Sequence, residues 1–76
     1  MTEFPAITGK KLISLLDKFG FVAARQRGSY VMLRHPDGRA TVVPVHAGET
    51  IGPGLLSKIL RDTDLSRKEL LRLLDK

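Results

Sequence analysis

The chain has 76 residues, one domain's worth, and a domain this small buries only about 60–65% of the surface its unfolded chain exposes. It has no cysteine, which excludes disulfides and thiolate metal sites, so packed Leu, Ile, Val and Phe must carry the fold. Thirteen Lys and Arg against eight Asp and Glu give a formal charge of +5, which suits RNA or DNA, an acidic protein partner, or simply a basic surface.

Met1 to Thr8 carries Glu3 and Pro5 and no apolar stretch of signal-peptide type. No apolar run approaches the roughly 20 residues of a membrane span, so the expectation is a cytoplasmic protein with no membrane association. Thr8 reads as a helix N-cap, followed by Leu12, Leu15, Leu16 and Phe19 at 3.6-residue spacing. Gly20 stands where a left-handed terminal residue is wanted, which predicts an amphipathic helix over 9–19. Phe21 to Arg27 reads as a first strand ending at Gly28-Ser29. Tyr30 to His35 alternates, with Val31, Leu33 and His35 on one face and Tyr30, Met32 and Arg34 on the other.

Pro36-Asp37-Gly38 is a strong turn signal, and Thr41 to His46 is a third strand. Pro44 has no N–H to give a ladder, which puts that strand at an edge. After a loop over Ala47 to Gly54, Pro53 and the apolar set Leu55, Leu56, Ile59 and Leu60 start a second helix that fades near Asp62-Thr63-Asp64. Ser66 and Glu69 form a capping-box pattern opening a short helix over 67–75. The order is α-β-β-β-α-α: an α+β fold in one domain over 1–76, its core about 8–65. A three-stranded antiparallel sheet carries the helices on one face and leaves the other to solvent or a partner.

The cations are not evenly spread. Lys18, Arg25, Arg27, Arg34 and Arg39 fall in a stretch with one anion, Asp37. Lys10 and Lys11 sit in the first turn of helix one, where cations oppose the helix dipole, a placement that favours phosphate contact. Gly52-Pro53-Gly54 opens helix two, whose free N–H groups suit a phosphate, and Lys58 and Arg61 one turn apart are RNA contacts or solvated charges.

Several stretches together carry a family resemblance. They are Thr8-Gly9-Lys10-Lys11-Leu12, Gly20-Phe21, Arg27-Gly28-Ser29, His35-Pro36-Asp37-Gly38-Arg39 and Val43-Pro44-Val45-His46, then Gly52-Pro53-Gly54-Leu55-Leu56-Ser57-Lys58-Ile59-Leu60-Arg61. In this order and spacing the chain resembles the HicA family of bacterial toxin–antitoxin systems. The resemblance implies a fold like the double-stranded-RNA-binding domain. It also implies ribosome-independent cleavage of mRNA, and neutralisation by a HicB antitoxin that masks the active surface and in some systems represses the operon. The family's catalytic residue is a histidine directly after Gly-Ser or Gly-Thr at the start of the second strand. Here that position is Tyr30.

The substitution bears on chemistry. Cleavage by the RNA's own 2′-hydroxyl needs a base, an acid and cations near the phosphate, and each positioned acid–base group is worth about 10²–10⁴-fold. Histidine serves either role at neutral pH, whereas a tyrosine titrates near 10 and is a poor base without cations such as Arg25, Arg27 or Arg34 beside it. Tyr30 therefore reads as catalytic, as an inert contact that donates to a phosphate or stacks on a base, or as an ordinary strand tyrosine. His46 takes an acid–base role if the fold brings it near Gly28-Ser29. His35, pointing away from Tyr30, reads as a turn or core residue.

Gly28 admits a close phosphate, supplies a bulge that aims Tyr30, or forms an ordinary turn. Ser29 offers a hydroxyl to phosphate or simply shapes that turn. The expected RNA-binding set is thus Lys10, Lys11, Arg25, Arg27, Gly28, Ser29 and Arg34. Two histidines 11 residues apart, without a nearby carboxylate pattern, are a weak metal signal, so neither metal nor other cofactor is expected. Three functions compete: a metal-independent toxin endoribonuclease acting on single-stranded mRNA, an inactive member binding RNA or only its antitoxin, and a structural double-stranded-RNA-binding domain.

Overall fold

The computed structural model describes residues 6–74, so residues 1–5 and Asp75 of the expected last helix lie outside the described residues. Six elements follow in order: α1 (Gly9–Lys18), β1 (Val22–Arg27), β2 (Tyr30–Arg34), β3 (Ala40–Pro44), α2 (Pro53–Thr63) and α3 (Arg67–Leu74). The predicted order holds, with ends shifted by one or two residues. Phe21, Phe19, His35, Val45 and His46 fall just outside their elements.

Helix α1 begins where the sequence says it should. The Thr8 hydroxyl accepts from the Lys11 N–H at 3.2 Å, satisfying one of the donors a helix start leaves unpaired. Its end closes through Gly20 N–H to Asp17 C=O at 3.0 Å and Phe21 N–H to Leu16 C=O at 3.1 Å, the Schellman pattern. Between these caps Leu12, Leu15 and Leu16 are fully buried. Gly9 is buried for a different reason. A Cβ there would lie 1.9 Å from the Pro44 carbonyl oxygen, so only glycine lets the helix start press on the end of β3.

The strands form one antiparallel sheet in the order β1-β2-β3, which leaves Pro44 on an edge strand as expected. Val31, Leu33, Thr41 and Val43 point inward and are buried. Helices α1 and α2 both pack over β3 on that face. Strand β1 overhangs the helical layer and is exposed at every position.

Helix α2 ends at Asp64 with φ 56°, and its cap N–H groups return to Arg61 and Leu60. Ser66 and Glu69 form the expected reciprocal box: Ser66 N–H to Glu69 Oε1 at 2.9 Å, Glu69 N–H to Ser66 Oγ at 3.1 Å. Leu70 of α3 completes a core that also holds Leu12, Leu15, Leu16, Phe21, Leu33, Val43 and Ile59. Truncating one such leucine costs about 2–5 kcal/mol, a large share of the 5–15 kcal/mol typical of a whole domain.

Two polar clasps join the β3 side of the sheet to α2. Arg39 donates to Asp37 Oδ2 at 2.8 Å and to the Thr63 carbonyl, and its guanidinium lies 5.1 Å from the Phe21 ring centre. His35 packs on the same ring, centroids 5.0 Å apart, which makes it the turn and core residue expected. The Arg39 backbone N–H holds the Asp37 carboxyl below its usual value, the guanidinium reinforcing it against desolvation. Arg39 thus leaves the cation cluster that the sequence suggested and belongs to the fold. In the second clasp Asp62 Oδ2 accepts from Lys58 Nζ at 2.9 Å and from the Thr41 hydroxyl at 3.1 Å. The Lys58 ammonium, first, and Thr41 then lower the Asp62 carboxyl from its usual value.

Three outcomes follow for stability. Gly9→Ala forces backbone against backbone and should cost about 1–3 kcal/mol, lowering the melting temperature by on the order of 10 °C. Gly54→Ala, with nothing within 4 Å of its Cβ, should leave stability unchanged or raise it. Thermal unfolding of the two variants checks the pair. Because the Asp62 value is depressed on folding, its clasp stabilises fully above the ordinary carboxylate range and is lost as pH falls through the folded value. Asp62→Asn should therefore melt lower than the unaltered chain at pH 7, with the gap closing in melts taken toward pH 3.

Candidate functional site

The helix-free face of the sheet is built by alternation. In β2 it takes Tyr30, Met32 and Arg34, each exposed, as the sequence predicts. Across the β2–β3 ladder these lie opposite Pro44, Val42 and Ala40. Across the β1–β2 ladder they lie opposite Arg27, Arg25 and Val22. None of these nine positions carries a carboxylate.

The β1 side depends on an irregularity. The register runs Ala23 to Leu33 and then Arg25 to Met32, so Ala24 is an extra residue. Strict alternation from Val22 would send Arg25 and Arg27 to the helical side. The bulge resets the phase and turns both arginines onto the face of Tyr30. A bulge was among the roles considered for Gly28, and it lies instead at Ala23–Arg25. Gly28 occupies the first central position of the two-residue turn between β1 and β2, with φ 55° and open space around it. Positive φ there, and not at Ser29, fits the type II′ hairpin turn. Gln26 Nε2 donates to the Gly28 carbonyl at 3.0 Å and steadies that turn.

Arg25, Arg27, Tyr30, Met32 and Val42 surround a concavity of about 260 Å³. Its lining is almost wholly apolar, with the Tyr30 ring 54% exposed and two arginines among the lining residues. Among the described residues neither arginine forms a salt bridge. Such a hollow offers an aromatic face for stacking beside charges for phosphate, or apolar anchors ringed by cations for a protein.

His46 is brought to the same end. Its ring meets the Tyr30 ring edge-on, centroids 6.0 Å apart and planes at 85°. Val45 N–H bonds the Ser29 carbonyl at 2.6 Å, fastening the strand before His46 to the hairpin turn. Beyond it Glu49 N–H returns to the His46 carbonyl at 3.1 Å, and Ile51 N–H reaches the Ile7 carbonyl at 2.7 Å. Thr8, Lys10, His46 and Gly48 line a cleft beside this loop. Lys10 therefore joins the site from α1, while Lys11 is exposed one position further on. Ser29 is half-buried in the turn.

Arg34 shares the open face but stands four residues along β2 from Tyr30, about 13 Å at strand rise, beside Val22 and the Pro36 turn. Lys58 is engaged with Asp62 on α2. Among the described residues no three His, Asp or Glu side chains gather as a metal site needs. No helix among them is long and apolar enough to cross a membrane. The sequence did not disclose the exposed apolar members of this face, Val22 and Val42, although β-strand alternation from Met32 through its partners would have found Val42.

Comparison with known proteins places the chain. No curated protein gives a significant match. The family model described as the HicA toxin of bacterial toxin–antitoxin matches residues 9–65, well over half the chain and spanning α1 through α2. The chain belongs to the HicA toxin family and is the toxin side of a bacterial toxin–antitoxin system.

Proposed function

We propose that this chain is a single-domain, cytoplasmic, metal-independent endoribonuclease. It cleaves mRNA without the ribosome and is held inactive by a HicB-type antitoxin. The observation that supports this most is the gathering of Tyr30, Arg25 and Arg27 on one open, carboxylate-free sheet face. The guanidinium groups take the phosphates of single-stranded RNA, and the Tyr30 ring stacks on an unpaired base or hydrogen-bonds the backbone. Lys10 and the Gly28-Ser29 turn border the same end, whereas Arg34 and Lys11 hold more distant phosphates. The apolar members Val22, Met32 and Val42 give an antitoxin the anchors that bare RNA does not need, so one face serves both partners.

A second reading has an observation of its own. Tyrosine at position 30, where the family's catalytic histidine stands, favours a member that binds RNA or antitoxin without cutting. A histidine-to-tyrosine change there, natural or introduced, would produce such a member.

The experiment compares the chain with Tyr30→His on labelled single-stranded RNA in EDTA, alongside growth of cells expressing each alone. The nuclease reading expects the unaltered chain to cut and to arrest growth, and Tyr30→His to cut about 10²-fold faster. Cleavage by Tyr30→His alone would establish the second reading. Equal rates would remove Tyr30 from the chemistry, and two inert proteins would show that the site is misplaced.

A further inference from the structure

The contact between Tyr30 and His46 gives the open face a second group able to move a proton. Imidazole is the side chain best matched to that task near neutral pH. His46 is 45% exposed, so a substrate reaches it, yet the preceding Val45 N–H is tied to the Ser29 carbonyl and its own carbonyl accepts from the Glu49 N–H. Such double anchoring is what positions a reacting group before substrate arrives. Glu49 Oε2 stands 4.0 Å from His46 Nδ1, beyond hydrogen-bond distance, so both ring nitrogens stay open to a substrate. Lys10 borders the same cleft and supplies a cation for phosphate. His35 is less accessible, 20% exposed and packed on Phe21, and lies only 2.8 Å from where a Gly20 Cβ would stand.

We infer that His46 and Tyr30 work as a pair across the scissile phosphodiester of single-stranded RNA, His46 as general base and Tyr30 as general acid. The inference rests on the nuclease reading above and names the residues that carry its chemistry. His46 takes the proton of the 2′-hydroxyl, and the freed electron pair forms the bond from the 2′-oxygen to phosphorus. The bond from phosphorus to the 5′-oxygen breaks, and the departing oxygen takes the Tyr30 hydroxyl proton. The imidazolium then returns its proton to the phenolate. The products are a 2′,3′-cyclic phosphate and a 5′-hydroxyl end, with both side chains restored, so the balance closes on RNA and the pair alone. Arg27 is the cross-strand partner of Tyr30 on the same face.

The test uses the full chain, His46→Gln, His46→Gly and Tyr30→His on a short 5′-labelled single-stranded RNA, with a DNA of the same sequence as a binding control. The melting temperature of each variant is read alongside. The pair predicts cyclic-phosphate ends by mass spectrometry and cleavage slowed about 10²-fold or more in His46→Gln, with melting unchanged and the DNA still bound. It also predicts that added imidazole restores cleavage by His46→Gly, which a merely structural role would not allow. Cleavage by His46→Gln at the unaltered rate, or a slow His46→Gly that imidazole leaves slow, overturns the pair. An inert unaltered chain beside an active Tyr30→His overturns the pair and leaves the site standing. If unaltered chain and Tyr30→His are both inert, the nuclease reading falls, and the pair falls with it.

Discussion

A three-stranded sheet covered by helices on one side has to leave its other side open, and everything proposed for this protein depends on what stands there. Burial takes alternate residues of β2 and β3: Val31, Leu33, Thr41 and Val43. Their neighbours Tyr30, Met32, Arg34 and Val42 are delivered to solvent by the same pleat. The hydrophobic term that stabilises the fold therefore also aims the candidate site. On β1 no inward packing enforces a phase, because the strand overhangs the helices. There the extra residue Ala24 decides, and it decides for the open face.

The second determinant is how tightly the ends of the elements are drawn together. Gly9 lets α1 start against the Pro44 carbonyl, which brings Thr8 and Lys10 to the loop holding His46. The Val45 to Ser29 hydrogen bond brings that loop to the hairpin turn from the other side. Positive groups from α1 and β1 thus flank one corner of the sheet. Arg39 and Lys58, by contrast, are neutralised in clasps with Asp37 and Asp62 that hold β3 to α2. Among the described residues Arg25 and Arg27 beside Tyr30 form no salt bridge, and neither do Arg61, Arg67 and Arg72 on the helices. What sets the open face apart is that its paired strand positions carry arginines and no carboxylate.

Much of this was legible in the sequence where the controlling physics is local. Thr8, Gly20 and the Ser66–Glu69 box mark helix ends because capping acts within four residues. Alternation in Tyr30–Arg34 foretold the two faces of β2, since one buried face fixes the phase. The bulge at Ala24 was not legible, because nothing in Val22–Arg27 apart from pairing with β2 identifies the extra residue. The meeting of Tyr30 and His46 could be stated only as a condition, for it follows from the register of β3 on β2. Arg39 was counted with the clustered cations, and its structural role was not legible for a similar reason: its partner Thr63 lies 24 positions away. Gly9 looked like one more helix residue until the backbone it touches was known.

The claim at the centre is that the open face, and not the helical one, meets nucleic acid. Amide chemical-shift changes on adding a short 2′-O-methylated single-stranded RNA, which resists cleavage, test it directly. The account predicts the largest changes at Arg25, Arg27, Tyr30, Met32 and His46, fading as salt is raised. Changes concentrated on α2 and α3, with β1 and β2 unmoved, would contradict it.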